Sequence, residues 1–413
     1  MGKNVIRIGI DGRRNSGSGI GRVTSNIIEG LINYNTEHEY ILFASKPRDW
    51  NGANVRIEQC DIQFFSEADL FELPKHISRA DIDVFVSPQF YISPFINCPA
   101  VKFVHDLWPL LYPEWVPNYR DFLSHFGQQS AEGIKTFLGF FEKAYAQGKI
   151  FPKNSFLNGI VANQELEETE LYVAAMMACT LYTAESIIVP SKHSMSEIAT
   201  AFPEVISKVR IIPNFSSPVF THRLNGARQP FILHVAKWEP RKNLEQVLNV
   251  GQFVYERFRM KLVLVGDQGY RDYGRRIKKI ISSPPYNMFV EHLGVVTDDE
   301  LAELYRTAQI FLFPSLYEGF GIPPLEAMAC GTPVVAGCTG ALPEVCGEAA
   351  VLVDPADMEE IQTAIKRLQT DDNFYSSIVQ KGLLRCRAFD RKESIQLLNN
   401  TIEDASRTEW ANE

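Results

Sequence analysis

The stretch "IRIGIDGRRNSGSGIGRVTSNIIEGLINY", residues 6–34, decides the predicted fold. Residues 6–10, "IRIGI", have the isoleucines typical of a buried strand, and residues 11–22 form a loop with several glycines. Apolar residues then recur at helical spacing from Val23 onward. A strand, a glycine-containing loop and a helix are the repeating unit of a doubly wound sheet. The stretch therefore predicts an α/β fold.

The same order of elements recurs along the chain. Further strands are predicted in both halves of the chain, at 39–45, 82–88, 100–107, 186–191, 208–214, 231–237, 261–269, 288–294, 310–315, 333–337 and 349–354. Residues 215–230 are rich in Pro, Gly, Ser and Asn and are predicted to be a linker. We therefore predict two doubly wound, Rossmann-like domains that face a central cleft, with ligands at the carboxyl ends of the strands.

Residues 120–170 depart from this pattern, because no strand is predicted there. Within them, residues 133–157 have aromatic side chains at helical spacing and a local excess of lysine. One interpretation is a helix in peripheral contact with an anionic membrane surface. The other is an insertion that packs on its own domain or on a second subunit, so an oligomer remains open.

Length and composition narrow the class of protein. A chain of 413 residues with 45% hydrophobic residues is long enough for two packed domains. A formal net charge of −9 argues against nucleic acid as the main partner. Seven cysteines without a C-x-x-C pair, no signal-peptide pattern and no apolar run of membrane-spanning length predict a cytoplasmic protein.

Two glutamates, Glu318 and Glu326, stand in a mostly apolar stretch with seven residues between them. Glu318 is predicted in the loop after the strand 310–315, and Glu326 in the first turn of a helix that begins at Pro323 and Pro324. Both carboxylates could accept hydrogen bonds from the hydroxyls of a sugar. The alternative is a loop glutamate plus a glutamate that only stabilises the helix dipole.

Glycines and cations lie close to these carboxylates in the predicted fold. Gly319 and Gly321 would let a ligand approach the backbone N–H groups closely. Arg241 and Lys242 follow the first strand of the second half, where they could bind a diphosphate. A solvated basic pair is the alternative for these two cations.

Three motifs together resemble family 4 of the retaining glycosyltransferases, which have the GT-B fold. They are "GSGIGR" (17–22), "WEPRKNL" (238–244) and "EGFGIPPLEAMACGTPVVA" (318–336). The two glutamates match the E-x7-E element of that family. The segment "FVHDLWPLLYPEW" (103–115) resembles bacterial polysaccharide enzymes, especially mannosyltransferases that use GDP-mannose.

The resemblance implies a domain organisation. Residues 1–218 would form the acceptor-side domain with the helical insertion at 120–170, and residues 228–390 would bind the nucleotide sugar. Residues 391–413 would form a helix that crosses back to the first domain.

The resemblance also implies a role for each candidate residue. Arg241 and Lys242 would hold the diphosphate as it leaves, and Glu318 would contact the transferred sugar. Glu326 would hold the ribose. The remaining donor contacts would be made by the amides of Gly319, Phe320 and Gly321, by Gly17, Gly19 and Gly21, by the backbone near Val296 and by His105. The early glycines could instead form a flexible turn, and His105 could be a satisfied buried histidine.

The activity that the resemblance implies is retaining transfer of a hexose. The best match is mannose from GDP-mannose, moved onto a lipid-linked or growing oligosaccharide in the synthesis of a surface polysaccharide such as O-antigen or lipopolysaccharide. No cofactor is expected beyond the donor. No metal is expected either, because the D-x-D pair Asp81 and Asp83 opens a strand, away from the ligand edge. The alternatives are another donor (dTDP-rhamnose, UDP-glucose, UDP-galactose or a UDP-N-acetylhexosamine), a nucleotide-sugar epimerase, a glycogen-type synthase or a catalytically silent scaffold.

Overall fold

The computed structural model describes residues 5–15, 19–45, 50, 52–148, 159, 166–223, 227–269 and 271–408. The chain divides into two compact units, Met1–Ile212 with Lys392–Glu413, and Pro213–Arg391. Each unit has its own parallel sheet with helices around it. The fold class predicted from the first thirty residues is thus confirmed for each half of the chain.

The first unit contains a seven-stranded sheet in the order β3-β2-β1-β4-β5-β6-β7. Its strands are β1 Arg7–Asp11, β2 Glu39–Ala44, β3 Val55–Gln59, β4 Val84–Ser87, β5 Ala100–Phe103, β6 Ser186–Val189 and β7 Val209–Ile211. The central strands are mostly apolar, as expected where helices cover both faces of a parallel sheet, although β5 contains Lys102. The order reverses between β1 and β4, so loops at their carboxyl ends diverge and leave room for a ligand.

Eight helices of the described ranges belong to this unit. They are Gly19–Tyr34, Glu67–Arg79, Trp108–Leu111, Tyr119–Phe126, Ser130–Gln147, Glu168–Thr183, Lys192–Ala201 and Arg391–Ser406. The last of these is separated from the others by the whole second unit in sequence.

The helix Ser130–Gln147 bears on the two interpretations of residues 133–157. Its apolar side chains Ile134, Phe137 and Phe141 are at most 1% exposed and lie in the main core of the first unit. Phe137 packs edge-on against Tyr172 of the helix Glu168–Thr183, with 5.6 Å between the ring centroids. This buried face supports the insertion that packs on its own domain, and the membrane contact of residues 133–157 stays a prediction. Residues 149–157 lie outside the described ranges.

The second unit contains a six-stranded sheet in the order β10-β9-β8-β11-β12-β13. Its strands are β8 Gln229–Val235, β9 Lys261–Val265, β10 Val290–Gly294, β11 Ala308–Phe313, β12 Val334–Gly337 and β13 Val351–Val353. Its helices are Leu244–Phe258, Arg271–Ile281, Asp298–Thr307, Ile322–Ala329, Leu342–Cys346, Met358–Thr370 and Asp372–Arg385. Here the strand order reverses between β8 and β11. Throughout the part of the chain that the structure describes, helices long and apolar enough to cross a bilayer are absent.

Candidate functional site

The reversal point of the second sheet brings the predicted cations and the first predicted glutamate together. Arg241 and Lys242 end a short 3-10 turn, Pro240–Lys242, that follows β8. Glu318 lies in the loop after the neighbouring strand β11. Because β8 and β11 are parallel neighbours, their carboxyl ends lie side by side, and residues 76 and 77 positions apart in sequence come into contact.

Five charged side chains form an alternating chain at this point. The Nζ of Lys242 donates to Oε1 of Glu318 at 2.5 Å, and Nη1 of Arg241 donates to Oε2 of the same carboxylate at 3.2 Å. The Nε of Arg241 donates to Oε2 of Glu239 at 2.9 Å. Lys237 then lies 3.5 Å from Oε1 of Glu239. We call these five residues the charged cluster; its three cations and two carboxylates leave one net positive charge.

Burial makes the charged cluster electrostatically strong. Glu239, Lys242 and Glu318 are each at most 8% exposed. Burial alone would raise the pKa of Glu239, but Arg241 and the two lysines lower that pKa to about 2. The pKa of Glu318 is likewise lowered, because Lys242 and Arg241 outweigh the effect of its burial. Both carboxylates are therefore ionised at neutral pH.

Lys242 is affected in the opposite direction. Its burial and the neighbouring Arg241 lower its pKa, and the attraction of Glu318 and Glu239 only partly offsets this. The ammonium also lies 5.1 Å from the ring centroid of Phe313, the last residue of β11. The positive charge of Lys242 therefore depends on the carboxylates that surround it.

Backbone contacts hold the two loops of the charged cluster together. The Leu316 N–H donates to the carbonyl of Arg241 at 2.8 Å. Asn243, in the left-handed region at φ 59°, donates from Nδ2 to the carbonyls of Pro314 and Pro355 at 3.1 and 2.8 Å. One asparagine thus ties the loop after β8 to the loops after β11 and β13.

The glycine segment after Glu318 leads into the helix Ile322–Ala329, as predicted. Gly321 has φ +105° and a Cβ there would lie 2.7 Å from Leu342, so only glycine fits. The side chain of Phe320 is buried and packs edge-on against Phe389, with 5.4 Å between the ring centroids. Only the backbone of Phe320 is therefore available for the predicted ligand contacts of residues 319–321.

Glu326 lies deeper than the sequence suggested. It is the fifth residue of the helix and not part of its first turn, because the helix begins at Ile322. Its side chain is 0% exposed and accepts a hydrogen bond from the Tyr305 hydroxyl at 3.2 Å. The structure therefore shows Glu326 in the interior of the second unit, and the role in ribose binding stays a prediction.

Val296 follows β10 and precedes the helix Asp298–Thr307. Its side chain is half-buried and packs against the core of the second unit. The next residue, Thr297, caps the helix by accepting from the Glu300 N–H, and Glu300 reciprocally accepts from the Thr297 N–H. This segment lies two strands from the charged cluster in the sheet, on the same edge.

In the first unit, His105 lies two residues beyond the carboxyl end of β5. Its Nε2 is 2.8 Å from the carbonyl of Pro88, which follows β4. A carbonyl can only accept, so Nε2 carries the proton in this contact. Burial lowers the pKa of His105, with the hydrogen bond to Pro88 acting in the opposite direction. The imidazole is therefore neutral at pH 7. His105 is half-buried, its Nε2 has a partner in its own unit, and its contact with the donor sugar stays a prediction.

The early glycine loop is described only in part. Gly17 lies outside the described residues. Gly19 begins the helix Gly19–Tyr34, and a Cβ there would meet nothing within 4 Å. Gly21 is buried in the first turn. Packing therefore does not require glycine at position 19.

A buried ion triad beside this loop was missed by sequence reasoning. Arg13 donates to Asp11 at 2.8 Å and to Asp69 at 2.7 Å, and all three side chains are at most 2% exposed. It anchors the loop after β1, the strand at which the order of the first sheet reverses. The sequence showed Arg13 only as one of two adjacent arginines in a polar loop, with no signal for its burial.

Two members of the charged cluster, Lys237 and Glu239, were also missed. Both stand within or next to the quoted "WEPRKNL" motif, so the motif itself was the available signal. The D-x-D pair is where the sequence placed it, before β4, and Arg7 contacts both Asp81 and Asp83. Among the residues whose placement is described, no group of three or more His, Cys, Asp or Glu side chains could hold a metal ion.

The chain is thus a two-unit α/β protein with a largely buried charged cluster at the reversal point of its second sheet. Residues 221–385 match the family described as Glycosyl transferases group 1. The matched residues lie within the second unit, and for this part of the chain the resemblance predicted from the sequence is confirmed. The O-antigen chain mannosyltransferase B of Escherichia coli is 36% identical over 165 residues, which are 40% of this chain and 43% of that protein. The matched segment thus spans less than half the length of this curated relative.

Solved structures match almost the whole chain. Sucrose-phosphate synthase from Thermosynechococcus elongatus superimposes with a TM-score of 0.67 at 19% identity, over 97% of this chain and 98% of that one. HepE from Anabaena, solved in complex with UDP-glucose, gives a TM-score of 0.66 at 16% identity, over 97% and 100% of the two chains. At these identities the likeness shows the fold alone, which is the predicted GT-B fold.

Proposed function

We propose that the protein is a retaining glycosyltransferase that moves a hexose from a nucleotide-diphosphate sugar to an oligosaccharide acceptor. The preferred donor is GDP-mannose. The preferred acceptor is a lipid-linked or growing chain in the synthesis of a surface polysaccharide.

The charged cluster is the observation that carries this proposal. Its cations lie at the carboxyl edge of the sheet, where ligands of doubly wound folds bind. Arg241 presents a planar fork and Lys242 a compact point charge, and both geometries suit phosphate oxygens. One net positive charge, buried and fixed in place, would favour a bound diphosphate.

Such a site would act mainly by stabilising the leaving group. As the anomeric C–O bond breaks, negative charge grows on the diphosphate, and Arg241 and Lys242 are already in place to stabilise it. Glu318, held between these cations, could accept a hydrogen bond from a hydroxyl of the transferred sugar. The resemblance favours attack by the acceptor from the face that the diphosphate leaves, with the diphosphate taking the acceptor's proton, which retains the anomeric configuration.

The choice of mannose is supported by the similarity to the O-antigen chain mannosyltransferase B of Escherichia coli. The HepE structure was solved with UDP-glucose, so a uridine donor is the second candidate. The other donors considered from the sequence are dTDP-rhamnose, UDP-galactose and a UDP-N-acetylhexosamine.

The test is a binding panel followed by a donor-only reaction. A ligand that binds the folded state raises the unfolding temperature, so GDP-mannose should raise it more than the four other donors. The charge-neutral variant Lys242→Met should remove this shift. Incubation of GDP-mannose without acceptor should leave the sugar unchanged; its conversion to another sugar would identify an epimerase instead. If the protein bound none of the donors, the result would favour the alternative of a catalytically silent scaffold.

A further inference from the structure

A second group of reactive side chains lies in the first unit, at the amino ends of β5 and β6. A cavity of about 190 Å³ opens there, at the edge of the sheet opposite to His105. Its wall is formed by Ser93, Pro94, Ile96, Cys98, Ala100, Lys102, Tyr182, Thr183, Ala184, Glu185 and Lys208. None of these residues has a role in the proposed sugar transfer.

Lys102 is the unusual member of this wall. Lys102 lies within β5 and is only 1% exposed, and its Nζ donates to Oγ1 of Thr183 at 2.6 Å. The Thr183 hydroxyl in turn donates to the carbonyl of Cys179 at 2.8 Å, so it acts as acceptor toward the lysine. Among the described residues no carboxylate pairs with Lys102. A buried amine in a cavity wall with one neutral partner has no compensation for a positive charge.

The other ionisable groups around Lys102 do not supply that compensation. Lys208 is itself cationic and its Nζ donates to the carbonyls of Tyr182 and Ala184 at 3.3 and 2.9 Å. Burial raises the pKa of the Cys98 and Cys179 thiols to about 12, so both are neutral. Glu185 also lines the cavity and accepts a hydrogen bond from Thr408 at 3.0 Å. Burial, with a contribution from Lys208, lowers the pKa of Lys102 to about 7.

We propose that this cavity is a covalent binding site for small aldehydes, which form an imine with the amine of Lys102. A neutral lysine in an apolar, partly cationic setting is a nucleophile toward carbonyl carbon. Its nitrogen lone pair forms the new C–N bond while the carbonyl π electrons move to oxygen. The two amine protons leave with that oxygen as water. One amine and one aldehyde thus give one imine and one water, without oxidant or reductant.

The cavity wall fits a neutral carbonyl compound better than an anion. Pro94, Ile96, Ala100 and Ala184 are apolar and could contact a short carbon chain. An anion would have to lie beside Glu185 and would require Lys102 to be protonated. The volume limits the ligand to a chain of a few carbons.

The test traps the imine on the full-length protein. Butanal and sodium cyanoborohydride are added at pH 7, and the alkylated lysines are identified by peptide mass spectrometry. At this pH a lysine of pKa 7 has a neutral fraction roughly a thousandfold larger than an ordinary lysine of pKa about 10.4. We expect Lys102 to be alkylated at least tenfold faster than the exposed Lys261, with a rate that saturates with butanal and reaches half its maximum near pH 7.

Two variants and one competitor provide the controls. Lys102→Met fills the same space without an amine and should lose the adduct, whereas Lys208→Met should move the midpoint of the pH profile upward. Butan-1-ol has the same length and no carbonyl, so it should slow the labelling of Lys102 but not that of Lys261. Labelling of Lys102 no faster than that of Lys261, or a rate that rises without saturation, would overturn the proposal. The labelling rates of Lys102 and Lys261 are compared on the wild-type protein, so poor folding of a variant does not affect this comparison.

Discussion

Glu239 determines the orientation of Arg241. Its Oε2 accepts from Nε of the guanidinium at 2.9 Å, which leaves Nη1 directed at Glu318 and at the carbonyl of Tyr317. A diphosphate bound to Arg241 could replace the contact to Glu318 while the contact to Glu239 persists. Glu239 would then be a positioning residue for the proposed donor site.

The acid sensitivity of the second unit should follow from Glu239. Its pKa is lowered from the ordinary 4.5 to about 2, so its ionised form stabilises the folded state above pH 4.5 and this stabilisation is lost as the pH falls toward 2. The shift corresponds to about 3 kcal/mol. Urea unfolding of the wild type at pH 6 and pH 2.5, followed by a probe in the second unit, should show this loss. In Glu239→Gln the fall between the two pH values should be smaller by about that amount; an equal fall in both proteins would contradict the assignment.

Removing the charge of Glu318 should impair the proposed transfer in two ways. Glu318→Gln deletes an acceptor for the sugar hydroxyl, and it also removes the attraction that raises the pKa of Lys242, so this lysine would more readily lose its proton. We expect kcat for sugar transfer to fall roughly 10²–10³-fold, as for loss of one preorganised catalytic contact. Steady-state kinetics with the donor found in the panel measures this.

The matched control for this variant is Glu348→Gln, in the same unit. The side chain of Glu348 is 89% exposed and pairs with a lysine that is itself 46% exposed, so its loss should change neither kcat nor stability measurably. Near-normal transfer by Glu318→Gln would remove this glutamate from the proposed mechanism.

The loop that carries Glu318 is shaped by a glycine on a different loop. Gly340 has φ +58°, and a Cβ there would lie 2.5 Å from the carbonyl oxygen of Glu318 and 2.8 Å from its nitrogen. The following N–H, that of Ala341, donates to the same carbonyl at 2.8 Å. The backbone of Glu318 therefore rests directly on the segment after β12.

Gly340→Ala should therefore impair the proposed transfer without replacing any charged side chain of the site. The methyl group would displace the backbone of Glu318, and we expect at least a tenfold loss in kcat/KM for the donor together with lower stability. Gly347→Ala is the matched control, because its φ is +52° and a Cβ there would meet nothing within 4 Å. This control should lose about 1–3 kcal/mol through backbone strain alone and keep its kcat/KM. Kinetics and urea unfolding of both variants separate the two effects; equal losses of kcat/KM would refute the contact.

The buried central strands could be predicted because most of their residues are apolar, as in β4 "VFVS" and β11 "AQIFLF". The edge strand β3, "VRIEQ", was missed because only two of its five residues are apolar and three of the five are exposed. Its regular hydrogen bonding comes from β2 and not from its own composition.

The same reasoning explains what was found of the candidate site. The partners Arg241, Lys242 and Glu318 could be predicted because each follows a recognisable strand. Glu239 follows the same strand and stands in the same motif, but its burial between Lys237 and Arg241 depends on how the turn after β8 folds. For Glu326 the position in the chain indicated a ligand contact. The helix, however, begins at Ile322, so Glu326 is its fifth residue, and its carboxylate accepts from the Tyr305 hydroxyl in the interior of the unit.

At the scale of the whole molecule, the first unit combines two stretches that are far apart in the sequence, Met1–Ile212 and Lys392–Glu413. The helix Arg391–Ser406 belongs to that unit although the second unit lies between them in sequence. Its Ile395 is 1% exposed, and a Cβ added at Gly30 would lie 2.4 Å from Cδ1 of this isoleucine. Further along the helix, Oε1 of Glu403 lies 3.3 Å from Nε2 of His38, within hydrogen-bond distance. The glycine at position 30 allows the helix Gly19–Tyr34 to approach the final helix closely.

The stability of the first unit should therefore depend on a residue near the end of the chain. Ile395→Ala leaves a cavity against Gly30 and should cost roughly 2–5 kcal/mol, as do other large-to-small changes at buried positions. Hydrogen exchange read by mass spectrometry should show faster exchange in β1 and in the helix Gly19–Tyr34, while β8 and β11 keep their protection. Leu397→Ala is the control on the same helix, because Leu397 is 42% exposed and its truncation removes little buried surface. Faster exchange in the strands of the second unit, without faster exchange in the first unit, would contradict this prediction.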